Sequence, residues 1–255
     1  MLATQRHNQI QALLLQHGAV SIAQLMETFD ISMETARRDL AAMEKAGLLT
    51  RVHGGALSLN TTRFYRPLKE RMQDQQPQKQ AIARAAAKLV NEGDYIAISA
   101  GSTALAFAQE LRSCIRKLTV VTYSLDVFET LRDLPEYNVL LTGGNYYAAE
   151  RAFRGPATAD FLSGLYVQKV FFFPSVLSLE KGITCRTQEL VQRITPILHR
   201  CDHVYILADS TKFEKSSLYQ IVPLRQDYTY ITDHDLPDDL KEKYKANHLN
   251  FIYAD

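Results

Sequence analysis

The stretch that decides the fold of the first part of the chain is ISMETARRDLAAMEKAGLLTRVHGGA, residues 31–56. Ser32 stands where a hydroxyl can cap the start of a helix. Three apolar residues then recur at helical spacing: Ala36, Leu40 and Met43. At 100° per residue they form one stripe, so Arg38 lies on the opposite side. The pattern predicts a short helix with a basic outer face.

The outer face of this helix carries residues that suit contact with another surface. Glu34 lies beside Arg38 opposite the apolar stripe, and Thr35 and Arg37 occupy the two shoulders of the stripe. Exposed Arg and Glu are also what a solvated helix prefers, so this helix considered alone favours plain solvation over binding.

The neighbouring segments favour binding. Ser21 is placed to cap a preceding helix, whose apolar residues are Ile22, Leu25, Met26 and Phe29. Two helices joined by a tight turn, the second carrying Arg and Thr outward, have the geometry that places a recognition helix in the DNA major groove. Two short apolar runs around residues 53–55 then predict a hairpin, or wing. Such a wing would hold Arg51 and His53 near phosphates or the minor groove.

Residues 1–57 resemble the winged helix-turn-helix of the DeoR family of bacterial transcription regulators. The resemblance rests on the run S-x-x-T-x-R-R-D-L and the closing R-x-H-G-G-A, with Ala36 where the family more often has Ile. It implies a double-stranded DNA operator as partner. We expect base edges to be read by Arg38, Thr35 and Glu34, and the DNA backbone to be held by Ser32, Arg37, Arg51 and His53.

The composition allows two domains. With 255 residues, 46% of them hydrophobic and 22% charged, the chain can hold a small module and a medium-sized one. The net charge is only +1, but residues 31–71 contain eight Lys and Arg against four Asp and Glu. We expect a DNA-binding domain at 1–57, a linker at 58–78 and an effector-sensing domain at 79–255.

Several classes of protein are disfavoured. Cys114, Cys185 and Cys201 lack the paired spacing of zinc ligands, so we expect buried thiols in a reducing compartment and no metal site. No apolar run approaches the length of a membrane span, and the N-terminal segment has polar residues at helical spacing. The protein is therefore expected to be cytoplasmic, without a membrane partner.

Beyond residue 79 the pattern changes to buried strands that alternate with helices. The strands are predicted in the runs YIAIS, LTVVT, NVLLT, KVFFF, HVYILA, YTYIT and LNFIY. Near-continuous apolar runs of this kind indicate a mostly parallel sheet with both faces covered. The predicted fold is an N-terminal winged helix-turn-helix followed by an α/β domain.

Glycines and polar residues follow four of these strands, at the edge where open α/β sheets bind ligands. They are Gly101, Ser102 and Thr103; Tyr123 and Ser124; Gly143, Gly144 and Asn145; and Asp209, Ser210 and Lys212. Backbone amides, a helix N-terminus and the Lys212 ammonium together suit a phosphate. Each loop alone is typical of a plain turn, but four at one edge favour a ligand site. The G-x-G-x-x-G and P-loop patterns are missing, so no nucleotide cofactor is expected.

The same loops resemble the effector domain of the DeoR family, which is similar in fold to ribose-5-phosphate isomerases and senses phosphorylated sugars. The family's D-x-G-T-T, T-N-S, G-G and D-S-S-K-F stand here as SAGST, TYS, GGN and DSTKF. Ser99 replaces the usual Asp, and Tyr123 replaces the usual Asn. The resemblance implies a phosphorylated sugar as effector, with an altered hydroxyl-reading part of the pocket at Ser99 and Tyr123.

We expect a repressor of a sugar or nucleoside catabolic operon that acts as a homo-oligomer, a dimer or a tetramer, because operators with two-fold symmetry suit even-numbered assemblies. The alternative is a sugar-phosphate isomerase-like enzyme with an appended DNA-binding head, with Asp209 as candidate general base. Ser99 in place of a carboxylate favours sensing over catalysis, so we expect no catalytic residue.

Overall fold

The computed structural model describes residues 3–17, 19–58 and 67–255. Part of the predicted linker, residues 59–66, therefore lies outside the described residues. Within the described ranges, no helix combines the length and the apolar character needed to cross a membrane.

The N-terminal part is a winged helix-turn-helix, which we call the head. Its described elements are α1 (Ala3–His17), β1 (Ala19–Ser21), α2 (Ile22–Phe29), α3 (Met33–Lys45), β2 (Leu49–Val52) and β3 (Gly55–Ser58). The strands pair antiparallel in the order β1-β3-β2, with β2 and β3 forming the wing. The predicted helix-turn-helix and hairpin are confirmed, whereas β1 was not predicted because three residues are too short to show a strand period.

Two side-chain caps and an apolar core fix the helices of the motif. The Ser21 hydroxyl accepts a hydrogen bond from the Gln24 backbone N–H at 3.0 Å, and the Ser32 hydroxyl accepts one from the Thr35 N–H at 3.2 Å, as predicted. The buried apolar cluster of the head is Ile10, Leu14, Val20, Leu25, Ala36, Leu40, Met43, Leu49 and Ala56. The predicted apolar stripe of α3 therefore packs inward.

The two glycines of the wing, Gly54 and Gly55, have different structural roles. Gly54 has φ of +90°, a backbone conformation that glycine adopts without the penalty of a Cβ. Gly55 pairs with Val52 across the turn, and a Cβ added to it would lie 2.1 Å from the Val20 carbonyl oxygen. One glycine makes the turn, and the other allows β3 to pass close to β1.

The second part of the chain, which we call the sensor domain, alternates strands and helices. Its elements are α4 (Leu68–Arg71), α5 (Gln76–Ala87), β4 (Tyr95–Ile98), α6 (Ser102–Cys114), β5 (Leu118–Thr122), α7 (Leu125–Leu131), β6 (Tyr137–Leu141), β7 (Asn145–Tyr147), β8 (Ala152–Arg154), α8 (Pro156–Ser163), β9 (Val167–Phe172), β10 (Val176–Ser178), β11 (Gly182–Cys185), α9 (Gln188–Leu198), β12 (Cys201–Leu207), β13 (Tyr219–Val222), β14 (Thr229–Asp233), α10 (Asp238–Ala246) and β15 (Asn250–Ala254). Helix α4 and the first turn of α5 fall within the segment predicted as linker.

A seven-stranded parallel sheet in the order β15-β14-β12-β9-β4-β5-β6 forms the centre of the sensor domain. Its strands are the seven predicted from apolar runs, so the predicted parallel sheet is confirmed. Helices α5, α6 and α7 cover one face, and α8, α9 and α10 cover the other. Along β4, Ile96 and Ile98 face the first layer and Ala97 faces the second, as strand alternation requires.

Two small antiparallel sheets were not predicted. One joins β10, β11 and β13, and the other joins β7 and β8. Their three- and four-residue strands give too few alternations to be read from the sequence. Strand β10 follows β9 and strand β7 follows β6, so both small sheets continue from the carboxyl ends of strands of the main sheet.

The cysteines differ in exposure. Cys185 is buried and Cys201 is half-buried, but Cys114 is exposed. The prediction of buried thiols is therefore wrong for Cys114, which ends α6 where the helix leaves its packed face. Across the described ranges, no group of His, Cys, Asp and Glu side chains is arranged to hold a metal ion.

Candidate DNA-contacting face and ligand cavity

The outer face of α3 presents the residues predicted to meet DNA. Glu34, Arg37 and Arg38 are exposed, and Thr35 is half-buried on the shoulder of the helix. Ser32 is exposed at the helix start, where its hydroxyl caps α3 and lies 3.0 Å from the Thr35 hydroxyl. The predicted direction of these side chains is confirmed, whereas their contact with DNA stays a prediction.

A buried ion pair that was missed from the sequence holds α3 against α1. The Asp39 carboxylate is 2.5 Å from Arg6 Nε and 3.2 Å from His7 Nε2, and Asp39 is only 4% exposed. Burial alone would raise the pKa of Asp39, but hydrogen bonds from Arg6 and His7 outweigh burial and lower it. The burial of Asp39 could have been predicted from the sequence, because Asp39 lies in the apolar stripe, three residues after Ala36 and four before Met43.

On the wing, Arg51 is already paired with a carboxylate of α3. Glu44 accepts hydrogen bonds from the Arg51 backbone N–H at 2.8 Å and from Arg51 Nε at 2.9 Å. These hydrogen bonds, first from the backbone and then from the side chain, lower the pKa of Glu44. Contact of Arg51 with a DNA phosphate stays a prediction, and it would require Arg51 to exchange the Glu44 carboxylate for the phosphate. His53 is exposed at the turn of the wing.

A cavity of about 330 Å³ lies between the end of β12 and the segment that joins α4 to α5. Its lining residues are Arg71, Asp74, Gln75, Lys79, Asp209, Thr211 and Lys212. Three of them are cationic and two are acidic, so the cavity has the mixed charge that suits an anionic, hydroxylated ligand. Of the residues predicted to bind an effector, Asp209 and Lys212 are the ones that line it.

Lys79 is the most buried of the cavity cations, and it is one of the five lining residues that were not predicted to bind an effector. It is 5% exposed, and its ammonium donates hydrogen bonds to the carbonyl oxygens of Arg71 and Asp74. Burial lowers the pKa of Lys79 to about 8, an effect that Asp209 opposes and Lys212 reinforces. The sequence does contain an indication that Lys79 is buried. Lys79 stands at the start of the buried stripe of α5, which continues with Ile82, Ala83 and Ala86.

The turn after β12 fixes Asp209 and presents Lys212. Asp209 is 1% exposed, and its Oδ1 accepts hydrogen bonds from the Thr211 N–H at 3.1 Å and from the Thr211 hydroxyl. Lys212 Nζ lies 4.0 Å from Asp209 Oδ2. The Ser210 N–H donates to Asp233 at 2.8 Å, which ties the turn to the neighbouring strand β14. The carboxylate organises the turn, and the ammonium faces the cavity.

The start of α6 offers backbone amides near that turn. Gly101 precedes the helix with φ of +142°, and within the described part of the chain no side chain caps the helix start. Ser102 is half-buried there and Thr103 is buried. One strand, β9, separates β4 from β12, so the two loops are about two strand spacings apart, roughly 10 Å.

The loop after β5 is closed by β8. The Phe153 N–H donates to the Tyr123 carbonyl oxygen at 2.8 Å, and the Ser124 hydroxyl caps α7. Burial raises the pKa of the Tyr123 hydroxyl. The Ser99 hydroxyl accepts a hydrogen bond from the Phe173 N–H at 3.1 Å. These side chains complete the fold, and a contact of Ser99, Tyr123 or Ser124 with a ligand stays a prediction.

Arg193 on α9 covers the ring of Tyr123. Its guanidinium carbon is 4.3 Å from the ring centroid, its Nε is 3.6 Å from Glu189, and it donates to the Phe153 carbonyl oxygen. Arg193 is 8% exposed and shares the packed face of α9 with Ile197. It is a second buried charge on an apolar stripe of the sensor domain, outside the cavity lining.

The loop after β6 lies at the far end of the sheet. The Thr158 hydroxyl donates to the Gly143 carbonyl oxygen at 2.8 Å, and a Cβ on Gly144 would lie 2.2 Å from that hydroxyl. Asn145 is exposed in β7. Because β9, β4 and β5 intervene, about four strand spacings, roughly 19 Å, separate β6 from β12. The structure therefore does not bring Gly143, Gly144 and Asn145 to the cavity.

Comparison with known proteins finds the same two-part organisation. Residues 6–62 match the family described as the DeoR-like helix-turn-helix domain, and residues 74–234 match the DeoR C terminal sensor domain. The transcriptional repressor AccR of Agrobacterium fabrum is 31% identical over 94% of this chain and 95% of its own length.

Two further relatives and one structure extend the comparison. The lactose phosphotransferase system repressor of Lactococcus lactis is 34% identical over 93% of this chain and 94% of its own length. The L-fucose operon activator of Haemophilus influenzae is 34% identical over 91% of this chain and 92% of its own length. Ribose 5 phosphate isomerase A of Neisseria gonorrhoeae is a distant likeness, with a TM-score of 0.39 and 16% identity over 54% of this chain and 53% of its own.

Proposed function

This chain belongs to the DeoR family of DNA-binding transcription regulators, and we propose that it represses a sugar or nucleoside catabolic operon until a phosphorylated sugar releases it from its operator. The observation that carries the proposal is the cavity of the sensor domain, where Lys79 and Lys212 face one space with Arg71. Relatives named for lactose and L-fucose systems support a carbohydrate operon as the target. Relatives named as repressors support the sign of regulation.

On the DNA side, the proposal assigns the outer face of α3 to the major groove. Arg38, Thr35 and Glu34 would read base edges, because an Arg or Glu side chain can pair with groups that differ between bases. The backbone contacts would come from Ser32, Arg37, Arg51 and His53. All of these side chains are exposed except that of Thr35, which is half-buried, and this exposure supports the assignment. We keep the proposed bounds of a DNA-binding domain at 1–57, a linker at 58–78 and an effector-sensing domain at 79–255, and α4 and the first turn of α5 lie within that linker.

On the ligand side, the proposal places the phosphate of the effector against Lys212 and Lys79. Both ammonium groups line the cavity, and the N-terminus of α5 opens beside it. The uncapped amides of α6, at residues 101–103, lie roughly 10 Å away by strand spacing, which suits the other end of a phosphorylated sugar. Asp209 would accept hydrogen bonds from sugar hydroxyls.

The position of the cavity suggests how a ligand would act on the head. Arg71, Asp74 and Gln75 line the cavity and belong to residues 67–75, where the described part of the chain resumes after the head. A ligand that draws these residues toward Lys212 would therefore act on the part of the chain that leads back to the head. A coupling of about 1–3 kcal/mol, roughly 5–150-fold in operator affinity, is enough to switch a promoter.

Catalysis by an isomerase-like site is not retained as a second function. The relatives reported above are named as repressors or an operon activator and not as enzymes. In addition, the Asp209 carboxylate, the candidate general base, is held by Thr211 within its own turn. An even-numbered homo-oligomer remains part of the proposal, because operators with two-fold symmetry require paired heads.

Thermal unfolding of the full chain with a panel of sugar phosphates, each matched with its free sugar, tests the ligand assignment. A ligand at 100 times its dissociation constant should stabilise the protein by about 2.7 kcal/mol. We expect one phosphate, and not its free sugar, to raise the melting temperature. Lys212→Gln should remove the effect, whereas Lys117→Gln, an exposed lysine at the start of β5, should preserve it. Equal stabilisation of wild type and Lys212→Gln would contradict the phosphate assignment.

A further inference from the structure

The sensor domain touches the wing of its own head. The hydroxyl of Tyr219, at the start of β13, donates a hydrogen bond to the carbonyl oxygen of His53 in the turn of the wing. A Cβ on Gly54 would lie 2.9 Å from the Tyr219 hydroxyl oxygen, and one on Gly55 would lie 3.1 Å from Leu218 Cδ1. The turn of the wing and residues 218–219 are therefore in direct contact.

The contact uses the part of the wing that the proposed function assigns to DNA. Tyr219 approaches the turn so closely that a side chain at Gly54 would collide with its hydroxyl. His53 is the residue whose side chain would meet the DNA backbone, and its carbonyl oxygen is the one that Tyr219 binds. The His53 side chain stays exposed, but a duplex that contacts the turn would have to approach the Tyr219 ring, so we expect the duplex and the sensor domain to compete for the wing.

Tyr219 is firmly connected to the ligand cavity. It follows Lys212 by only seven residues, and hydrogen bonds hold the intervening segment to the small sheet. The Lys215 N–H donates to the Leu177 carbonyl oxygen at 3.2 Å, and the Ser217 N–H donates to the Thr184 hydroxyl at 2.8 Å. The strand of Tyr219 then pairs with β11. The turn that carries Lys212 and the strand of Tyr219 therefore belong to one continuous hydrogen-bonded segment.

We propose that Leu218 and Tyr219 form a docking surface for the wing of the same chain, and that the docked wing is withheld from DNA. The inference rests on the proposed DNA-facing role of the wing. Docking stabilises a conformation with low DNA affinity, and the loss of a hydrogen bond at the docking surface shifts the population toward the DNA-competent conformation.

Tyr219→Phe removes the donated hydrogen bond and keeps the ring, so it tests the docking surface in the full chain. Hydrogen exchange of residues 51–57 and binding to a mixed-sequence DNA duplex are the two measurements. We expect faster exchange of the wing amides and about 2–12-fold tighter DNA binding, the range that one net hydrogen bond gives. Leu218→Ala, which removes the contact with Gly55, should change both measurements in the same direction.

Tyr166→Phe is the matched control. Tyr166 is exposed just before β9, its hydroxyl bonds to Asp202, and β9 starts at the edge of the sheet opposite the loops. It should change neither measurement. Unchanged wing exchange in folded Tyr219→Phe and Leu218→Ala would overturn the docking surface.

A third variant separates the docking surface from the proposed function. If wing exchange is faster but DNA affinity is unchanged, Arg51→Ala decides which idea fails. Weaker DNA binding by Arg51→Ala would leave the DNA-facing wing intact and overturn its inhibition by docking. Unchanged binding by Arg51→Ala would remove the wing from DNA contact, and with it both the inhibition and that part of the proposed function.

Discussion

The outer face of α3 and the loops at the carboxyl ends of the sensor-domain strands use their polar side chains differently. On α3, Glu34 and Arg38 project to solvent, where a partner can meet them. In the sensor domain, Ser99, Ser124 and Asp209 are buried and accept hydrogen bonds from nearby backbone N–H groups. The period of a helix fixes where each side chain points, whereas a loop can turn the same kinds of residue inward. The side chains on the outer face of α3 are therefore available to a partner. Many polar side chains of the loops are instead used to hold the loops in place.

The largest expected effect is on the inner side of α3. Asp39→Ala would leave Arg6 buried without its carboxylate, at a cost of about 3–5 kcal/mol in the stability of the head. Amide exchange of residues 33–45 in the full chain measures that loss. Because the folded pKa of Asp39 is lowered, its contribution is present above the unfolded value near 3.8 and is lost as the pH falls through the folded value.

Glu27→Ala is the matched control for the inner side of α3. Glu27 is exposed on α2, and its removal should change stability by no more than about 0.5 kcal/mol. If Asp39→Ala were as mild as Glu27→Ala, the buried pair would not hold the head together, and the contrast between the two sides of α3 would disappear.

The next largest effect is on the outer side of α3. Arg38→Ala should leave stability nearly unchanged and should lower discrimination between operator and random DNA by about 1–3 kcal/mol. Equilibrium binding to both kinds of duplex measures the difference. An equal loss on operator and random DNA would assign Arg38 to the DNA backbone and would refute base reading.

In the sensor domain, the pKa of Lys79 predicts how ligand binding depends on pH. In the proposed site only the ammonium form of Lys79 would bind the phosphate, so raising the pH from 7 to 9 through a pKa of about 8 should weaken binding of the stabilising sugar phosphate about tenfold, or 1.4 kcal/mol. In the absence of ligand, stability should rise between pH 8 and 10.5, because the unfolded chain then binds more protons than the folded one.

Lys79→Met tests whether Lys79 causes that pH dependence. Isothermal titration at several pH values should give weak binding with little slope for Lys79→Met and the full slope for Lys117→Met. The same slope in Lys79→Met and wild type would remove Lys79 from the site and leave Lys212 as its main cation.

The smallest effect concerns the wing. Glu44→Gln frees Arg51 from its ion pair, so we expect slightly tighter binding to all duplexes. Arg51→Ala should weaken binding to all sequences and reduce the salt slope by about one. A Glu44→Gln protein with the affinity and salt slope of wild type would indicate that the ion pair does not compete with DNA.

Much of the fold follows from the sequence because it depends on periodic patterns. The α3 stripe of Ala36, Leu40 and Met43 packs as its spacing predicts, and the caps at Ser21 and Ser32 form the expected hydrogen bonds. The seven apolar runs become the seven strands of the parallel sheet. In each case neighbouring residues carry the information, so no knowledge of distant contacts is needed.

The buried charged side chains could not be predicted from their residue type, because a charged residue on a helix is usually solvated. Asp39, Lys79 and Arg193 each occupy a buried position on a helix stripe, where a charge requires a partner. Their position in the stripe could have identified them as buried. Their partners could not be identified in the same way, because Arg6 is 33 residues from Asp39 and joins it only through the packing of α1 on α3.

The site was only partly predictable for a related reason. The order of strands in a parallel sheet decides which loops become neighbours, and that order does not follow the chain. The loop at Lys212 meets the segment after α4, which was predicted to be a linker, whereas the loop at Gly143 is displaced by three strands. The wing contact at Tyr219 also joins segments that no local pattern connects.

One measurement tests the central claim most directly: the affinity of the full chain for a duplex that it selects from a random-sequence library, with and without the sugar phosphate that stabilises it. Fluorescence anisotropy at saturating ligand should show operator affinity weakened by about 5–150-fold, which corresponds to a coupling of about 1–3 kcal/mol. The same operator affinity with and without saturating ligand would contradict the account, because a ligand that binds both forms equally cannot release the protein from DNA.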